Sequence, residues 1–152
     1  MFTFRTNKDA PRYKLVHIDF RHPEACSDVV REYEDVLELS CCVNGNQLLL
    51  SYLSDVNYVL QIRDLQSGHL LHNLPIDIGS LDEISGRRKD KEIFINFTSF
   101  LTPGIIYQCN LDVEKPEFVV FRETFVPGFD RTEFEAKQVK FSFYFLLLQI
   151  FA

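Results

Sequence analysis

Serine, histidine and cysteine are the side chains in this sequence that could carry nucleophilic chemistry, and their spacing decides whether they do. A hydrolase serine needs a strained strand-to-helix turn with glycine on both sides, and it needs aspartate and histidine later in the chain. No G-x-S-x-G occurs; Ser67 and Ser85 each adjoin a single glycine and fall where turns are expected. His17 and His72 lie in strand-like runs and His22 and His69 at or near the ends of such runs, none spaced with Asp or Cys as a triad or a metal cluster. Packing is the role expected of all four. Cys26, Cys41, Cys42 and Cys109 contain no C-x-x-C. Cys41 and Cys42 are neighbours on a strand, so they point to opposite faces, and a thiol buried among apolar groups has a raised pKa and is unreactive. The carboxylates Asp82 and Glu83, and Glu32, Glu34 and Asp35, are explained by solvent-facing loops, with nothing to pair them for acid/base work. No glycine-rich phosphate loop is present. No catalytic, cofactor-binding or metal-ligating residue is therefore assigned. Asn96-Phe97-Thr98 is a formal glycosylation sequon, expected to stay unmodified in a strand interior.

The elements that would position such groups are set by composition. At 152 residues, 46% hydrophobic and 14% aromatic, the chain can build one sizeable core. A net charge of -6 argues against nucleic acid or an anionic membrane as partner. The start, Met1-Phe-Thr-Phe-Arg-Thr-Asn-Lys8, carries no apolar leader pattern and reads as the inside of a domain. Together with unpaired cysteines this predicts a cytoplasmic protein.

Short runs rich in Val, Ile, Phe, Tyr and Leu are separated by clusters of Gly, Pro, Asn and Asp, an all-β pattern. In Glu92-Ile-Phe-Ile-Asn-Phe-Thr98 the side chains of Ile93, Ile95 and Phe97 share one face and Phe94, Asn96 and Thr98 the other. Asn44-Gly45 offers the positive φ angles of a tight hairpin, and Asp64-Leu-Gln-Ser-Gly68 a second turn in which Asp64 accepts from the following amides. Pro103, Gly104 and Gly128 are also read as turn-shaping residues, and Arg87-Arg-Lys-Asp-Lys91 as a solvated loop.

A repeat underlies these runs. Asp19, Asp64 and Asn110 end similar segments at offsets of about 45 residues, and Gln47–Tyr52 matches Glu92–Phe97 at the same offset. That is the period of a propeller blade. Strands are expected at 36–43, 47–54, 57–64 and 69–76, and again at 80–85, 92–99, 105–111 and 117–122, with residues 2–20 supplying the end of an earlier blade. The fold predicted is a partial β-propeller of about two and a half four-stranded antiparallel blades, short of the roughly four to eight that close a ring.

Phe2-Thr-Phe-Arg-Thr-Asn7, Tyr13-Lys-Leu-Val-His-Ile-Asp-Phe20, Asp35-Val-Leu-Glu38, Glu92-Ile-Phe-Ile-Asn-Phe-Thr-Ser-Phe-Leu-Thr-Pro-Gly-Ile-Ile-Tyr107 and Phe121-Arg-Glu123 together resemble the propeller of the prolyl oligopeptidase family, serine endopeptidases that cleave after proline. The resemblance runs from about residue 2 to 139. It implies the later part of a seven-bladed lid over an α/β-hydrolase domain, gating access of short proline-containing peptides to catalytic residues that lie in that domain. It also implies a division of the chain into a partial propeller (1–129), a return segment toward the hydrolase domain (130–139, with a first strand near Phe134) and an apolar tail (140–152) outside the family pattern.

From Phe143 the tail is about half the length that a helix needs to span a bilayer, so a membrane anchor is the weaker explanation beside an altered reading frame or splice. Phe143-Tyr-Phe-Leu-Leu-Leu148 has the composition of an aggregation-prone segment, and blades without neighbours expose apolar faces. On its own the chain is expected to be catalytically inactive. A propeller module that binds other proteins is the alternative from a different functional class.

Overall fold

The computed structural model describes residues 1–55 and 57–137. Eleven strands follow in order: β1 (Phe2–Thr6), β2 (Lys14–Asp19), β3 (His22–Val30), β4 (Val36–Val43), β5 (Gln47–Ser54), β6 (Asn57–Asp64), β7 (Leu70–Leu74), β8 (Ser80–Ser85), β9 (Glu92–Ser99), β10 (Thr102–Asn110) and β11 (Phe118–Glu123). They form three antiparallel meanders, β1-β2-β3, β4-β5-β6-β7 and β8-β9-β10-β11. The all-β, partial-propeller expectation holds, and the second and third sheets are the two complete blades.

Each blade buries one face on its neighbour. Between the first and second, Leu15, Val30, Leu37, Leu48, Leu50 and Tyr52 form one core. Between the second and third, Val43, Leu49, Leu60, Ile62, Ile93 and Ile95 belong to the other. The period-2 alternation divides β5 between them, Leu48, Leu50 and Tyr52 toward the first blade and Leu49 toward the third. Each fully buried Leu or Ile contributes about 1.5–3 kcal/mol of transfer free energy, so these two seams dominate the stability of the stack.

The 45-residue period has a structural cause at the strand ends. Asp19, Asp64 and Asn110 close β2, β6 and β10, the last strand but one of each sheet, and each side-chain oxygen accepts from the amide two residues on: Arg21 at 3.1 Å, Gln66 at 3.1 Å and Asp112 at 2.9 Å. An Asx turn recurs because a short polar side chain substitutes for a backbone acceptor there. The expected turns form as well. Asn44 and Gly45 have φ of 43° and 73°, and Gly68 has 68°, with its amide on the Asp64 carbonyl at 2.9 Å. Gly128 also takes a positive φ, of 79°.

Three expectations are corrected. The first blade extends beyond residue 20 to Val30, through β3. This strand hides in the sequence because its first seven residues are exposed and Pro23 sits in it, which an edge strand tolerates. Pro103 and Gly104 do not make a turn; Phe100 and Leu101 do, and β10 begins at Thr102 with a register shift before Ile105. A bulge accommodates a residue without an N–H, and the Gly104 carbonyl accepts from the Thr124 amide at 2.9 Å. Asp82 and Glu83 lie within β8 rather than in a loop, with both side chains exposed.

Residues 124–137 cross the end of the third blade. Asp130 caps a single 3-10 turn (Arg131–Glu133), Arg131 pairs with Glu123 at 2.9 Å, and Phe129 stacks on Phe134 at 5.2 Å. Residues 134–137 carry no strand, and the rest of the expected hydrolase strand and the apolar tail lie outside the described residues.

Candidate functional site

The groups with chemical potential are dispersed over the blades. His17 is buried in β2 with Nδ1 3.0 Å from the Thr3 hydroxyl. His22 starts β3 at the surface, 3.6 Å from Glu24. His72 is on β7, and His69 precedes it with its carbonyl accepting from the Asp64 amide at 2.9 Å. Ser67 is held by Asp64, which accepts from both its amide and its hydroxyl at 2.7 Å. Ser85 ends β8. The buried His17 ring is bonded to a threonine rather than to a serine or cysteine, and among the described residues no group of three or more His, Cys, Asp or Glu is arranged to hold a metal ion.

Burial pushes the Cys41 thiol up to about 11, with the adjacent Cys42 adding to the shift, and pushes Cys109 to about 11 as well. Cys42 is also raised by burial, against the opposing field of Arg88. Such thiols are protonated near neutral pH and poor nucleophiles. Cys26 is exposed, and none of the four is in a disulfide.

What the arrangement does provide is a stack of blades with two unlike ends. At the end where β4 and β8 finish, the loops are polar and locked to one another. The Asn44 amide donates to the Asp90 carbonyl at 3.0 Å, Arg88 Nε to the Gly45 carbonyl at 2.9 Å, and Lys91 Nζ to Asp112 at 2.6 Å. The Arg87–Lys91 run is exposed as its charge suggests, and its backbone also fastens the third blade to the hairpin of the second. On the first seam Arg5 Nη1 donates to the carbonyls of Leu37 and Glu38, with its guanidinium 4.8 Å from the Tyr13 ring centroid. Nothing in sequence spacing marks Arg5 or Asn44 as seam residues, because their partners are carbonyls 32 to 67 positions away.

The opposite end, where β4 and β8 begin, is aromatic. Phe100 is 97% exposed, Phe125 80% and Phe134 53%, and Ile78 and Val126 are exposed beside them. The chain leaves the third blade here. Leu101, Pro103, Phe125, Val126 and Phe129 line a cavity of about 420 Å³ on this end, and Ile78, Phe100 and Lys137 line part of another of about 570 Å³. These exposed side chains make this end the apolar one of the stack, in contrast to the polar loops at the other. Among the described residues no helix is long and apolar enough to cross a membrane.

Comparison with known proteins agrees with this architecture. The family model for the prolyl oligopeptidase N-terminal beta-propeller domain matches residues 1–122. Prolyl oligopeptidase ophP of Omphalotus olearius is 33% identical over 138 residues, covering 90% of this chain and 18% of that protein. The prolyl endopeptidase of Dictyostelium discoideum is 24% identical over 148 residues, 91% of this chain and 19% of that one. Among solved structures, apo prolyl oligopeptidase B from Galerina marginata superposes with a TM-score of 0.78 at 27% identity, over 88% of this chain and 19% of its own. The chain thus spans about a fifth of the length of the relatives it matches.

Proposed function

Since the chain belongs to the prolyl oligopeptidase family, within its N-terminal β-propeller domain, we propose that its blades are the later part of the propeller of a cytoplasmic post-proline serine endopeptidase. There they gate access of short proline-containing peptides to the α/β-hydrolase domain of the full-length enzyme. One observation carries the proposal: Phe100, Phe125 and Phe134 are exposed together at the end where the chain leaves the third blade. A domain that follows in sequence is tethered at that end and covers that surface. Residues 1–129 then serve as blades, residues 130–139 as the return to the hydrolase domain, and residues 140–152 lie outside the family pattern.

The role is steric and electrostatic rather than chemical. Rigid seams keep the blades from parting, so a folded protein is held out while a short extended peptide passes. Cleavage belongs to the hydrolase domain, and the 152-residue chain by itself is inert toward proline peptides.

A chimera tests this. Residues 1–122 replace the corresponding blades of a full-length relative, and kcat/KM is measured for a short proline peptide and for the same sequence inside a folded protein. The expected result is cleavage of the short peptide alone, with the isolated chain inactive on both. Equal cleavage of the two substrates, or activity of the isolated chain, would overturn the proposal.

A further inference from the structure

The two seams repeat one arrangement with a different residue at its centre. Where β1 pairs with β2, Arg5 lies opposite Leu15; where β5 pairs with β6, Ser51 lies opposite Leu60. Leu15 and Leu60 are one blade period apart, the first buried between the first and second blades and the other between the second and third. Arg5 and Ser51 therefore hold the same position in successive blades, and each faces the blade that follows.

In the first seam that position carries a cation with a complete set of partners. The register of β4 on β5 shifts between Leu37 and Leu39, so Glu38 is bulged. A bulge turns its extra residue out of the ladder, and Arg5 Nη1 donates across the seam to the carbonyls of Leu37 and Glu38. The Arg5 guanidinium also lies over the Tyr13 ring, 4.8 Å from its centroid. A planar cation is thus held against a ring face and two successive carbonyls.

The second seam keeps these partners without the cation. The register of β8 on β9 shifts between Leu81 and Glu83, so Asp82 is bulged as Glu38 is. Tyr58 stands one blade period on from Tyr13. Its hydroxyl donates to the Glu38 carboxylate, and its pKa is raised by burial first, then by that bond and by the charges of Glu38 and Asp82. Two carboxylates from adjacent blades therefore converge on Tyr58. Both residues are exposed, and among the described residues neither is in an ion pair. Ser51, in the place of Arg5, is 1% exposed, and its hydroxyl has no hydrogen-bond partner.

We propose that Tyr58, Glu38, Asp82 and the bulge carbonyls of β8 bind a guanidinium from outside the chain, the arginine side chain of a peptide. The planar fork of arginine fits two successive carbonyls and stacks on an aromatic ring, which a compact ammonium does not. Carboxylates add charge-assisted hydrogen bonds. Because Glu38 and Asp82 are exposed, a ligand reaches them without parting the blades. The site stands on the repeat within this chain and does not depend on the peptidase role above.

The test titrates ethylguanidinium, at concentrations well below denaturing ones, into the whole 152-residue chain and follows the side-chain NMR signals of Glu38, Tyr58 and Asp82. Saturable shifts confined to these three are expected, with ethylammonium binding at least about fivefold more weakly. Asp82→Asn should weaken ethylguanidinium binding about tenfold. Ser51→Arg supplies the guanidinium from within, as Arg5 does one blade earlier, and should abolish binding. A short arginine peptide should shift the same signals and its lysine counterpart should not. Shifts that do not saturate or that spread over the other carboxylates, equal affinity for ethylammonium, or unchanged affinity in Asp82→Asn or Ser51→Arg overturn the proposal. If Ser51→Arg does not fold, the Asp82→Asn comparison decides alone.

Discussion

The side-chain amide of Asn44 donates to the backbone carbonyl of Leu111 at 3.1 Å, tying the hairpin of the second blade to the end of the third strand of the next, 67 residues on. Asn44 also holds a φ of 43°, so it serves two purposes. Asn44→Gly removes the bond and keeps the backbone free to adopt that angle, costing about 1 kcal/mol. Asn44→Ala removes the bond and adds the left-handed penalty, roughly 1–2 kcal/mol more. Urea midpoints at constant slope should rank wild type, glycine, alanine; equal midpoints for the two variants would show that the angle is not held.

Gly68 and Gly45 make a second pair with unequal consequences. Both have positive φ, but a methyl on Gly68 would sit 1.9 Å from the Val29 carbonyl oxygen, whereas one on Gly45 meets nothing within 4 Å. Gly45→Ala should cost only the backbone term, about 1–2 kcal/mol. Gly68→Ala must push the second blade off β3, for a total above about 3 kcal/mol. Thermal unfolding of the two variants measures the difference, and similar melting temperatures would mean that β3 does not press on this turn.

The two cores predict a third outcome. Leu49 and Leu50 are neighbours on β5, both fully buried, one in each seam. Alanine at either should cost about 2–5 kcal/mol. Because the second blade is shared, either substitution should lower one common transition monitored by far-UV circular dichroism. Two separate transitions in Leu50→Ala would show that the first blade is a separate folding unit.

How much of this was legible in the sequence follows from range. Strand alternation and Asx turns act over two to four residues, so Ile93, Ile95 and Phe97, or Asp64 with Ser67, announce themselves. The blade period was readable because Asp19, Asp64 and Asn110 repeat one local device. β3 was not, since a solvent-facing edge strand has no apolar alternation to display. The seams were not either: Arg5 and Asn44 bind carbonyls of distant residues, and carbonyls are the same in every amino acid. The aromatic end was written in Phe100, Phe125 and Phe134, but only the strand order brings these three together.

The thiols give a pH signature at the alkaline side. Burial raises Cys41 and Cys109 from an ordinary 9.0 to about 11. The unfolded chain therefore ionises first, so stability is intact below about pH 9 and falls as pH rises toward about 11. Cys109→Ala should flatten that fall. With an aromatic disulfide reagent at pH 8, exposed Cys26 should react first and Cys109 only on unfolding. Reaction of Cys109 as fast as Cys26 would mean that the seam between the second and third blades opens readily.

Asp64 gives the opposite signature in acid. Its carboxylate accepts from the Ser67 hydroxyl and amide at 2.7 Å each, from the Gln66 amide at 3.1 Å and from Asn46 at 2.8 Å. The bonds from Ser67, its hydroxyl first and then its amide, and from the Gln66 amide hold the carboxyl pKa below the ordinary 3.8. For a lowered carboxylate the stabilisation is present above the unfolded value and is lost as pH falls through the folded one. Asp64→Asn keeps an acceptor but cannot ionise, so it should be less stable than wild type at pH 7, with the gap closing below about pH 3.8. Urea midpoints at pH 7 and pH 3 measure the gap, and a constant difference would sink the charge argument. Ser67→Ala then isolates the largest contributor: carboxyl NMR titration should place Asp64 closer to its ordinary value in that variant, while the Asp19 and Asn110 turns, which lack this serine, keep their geometry.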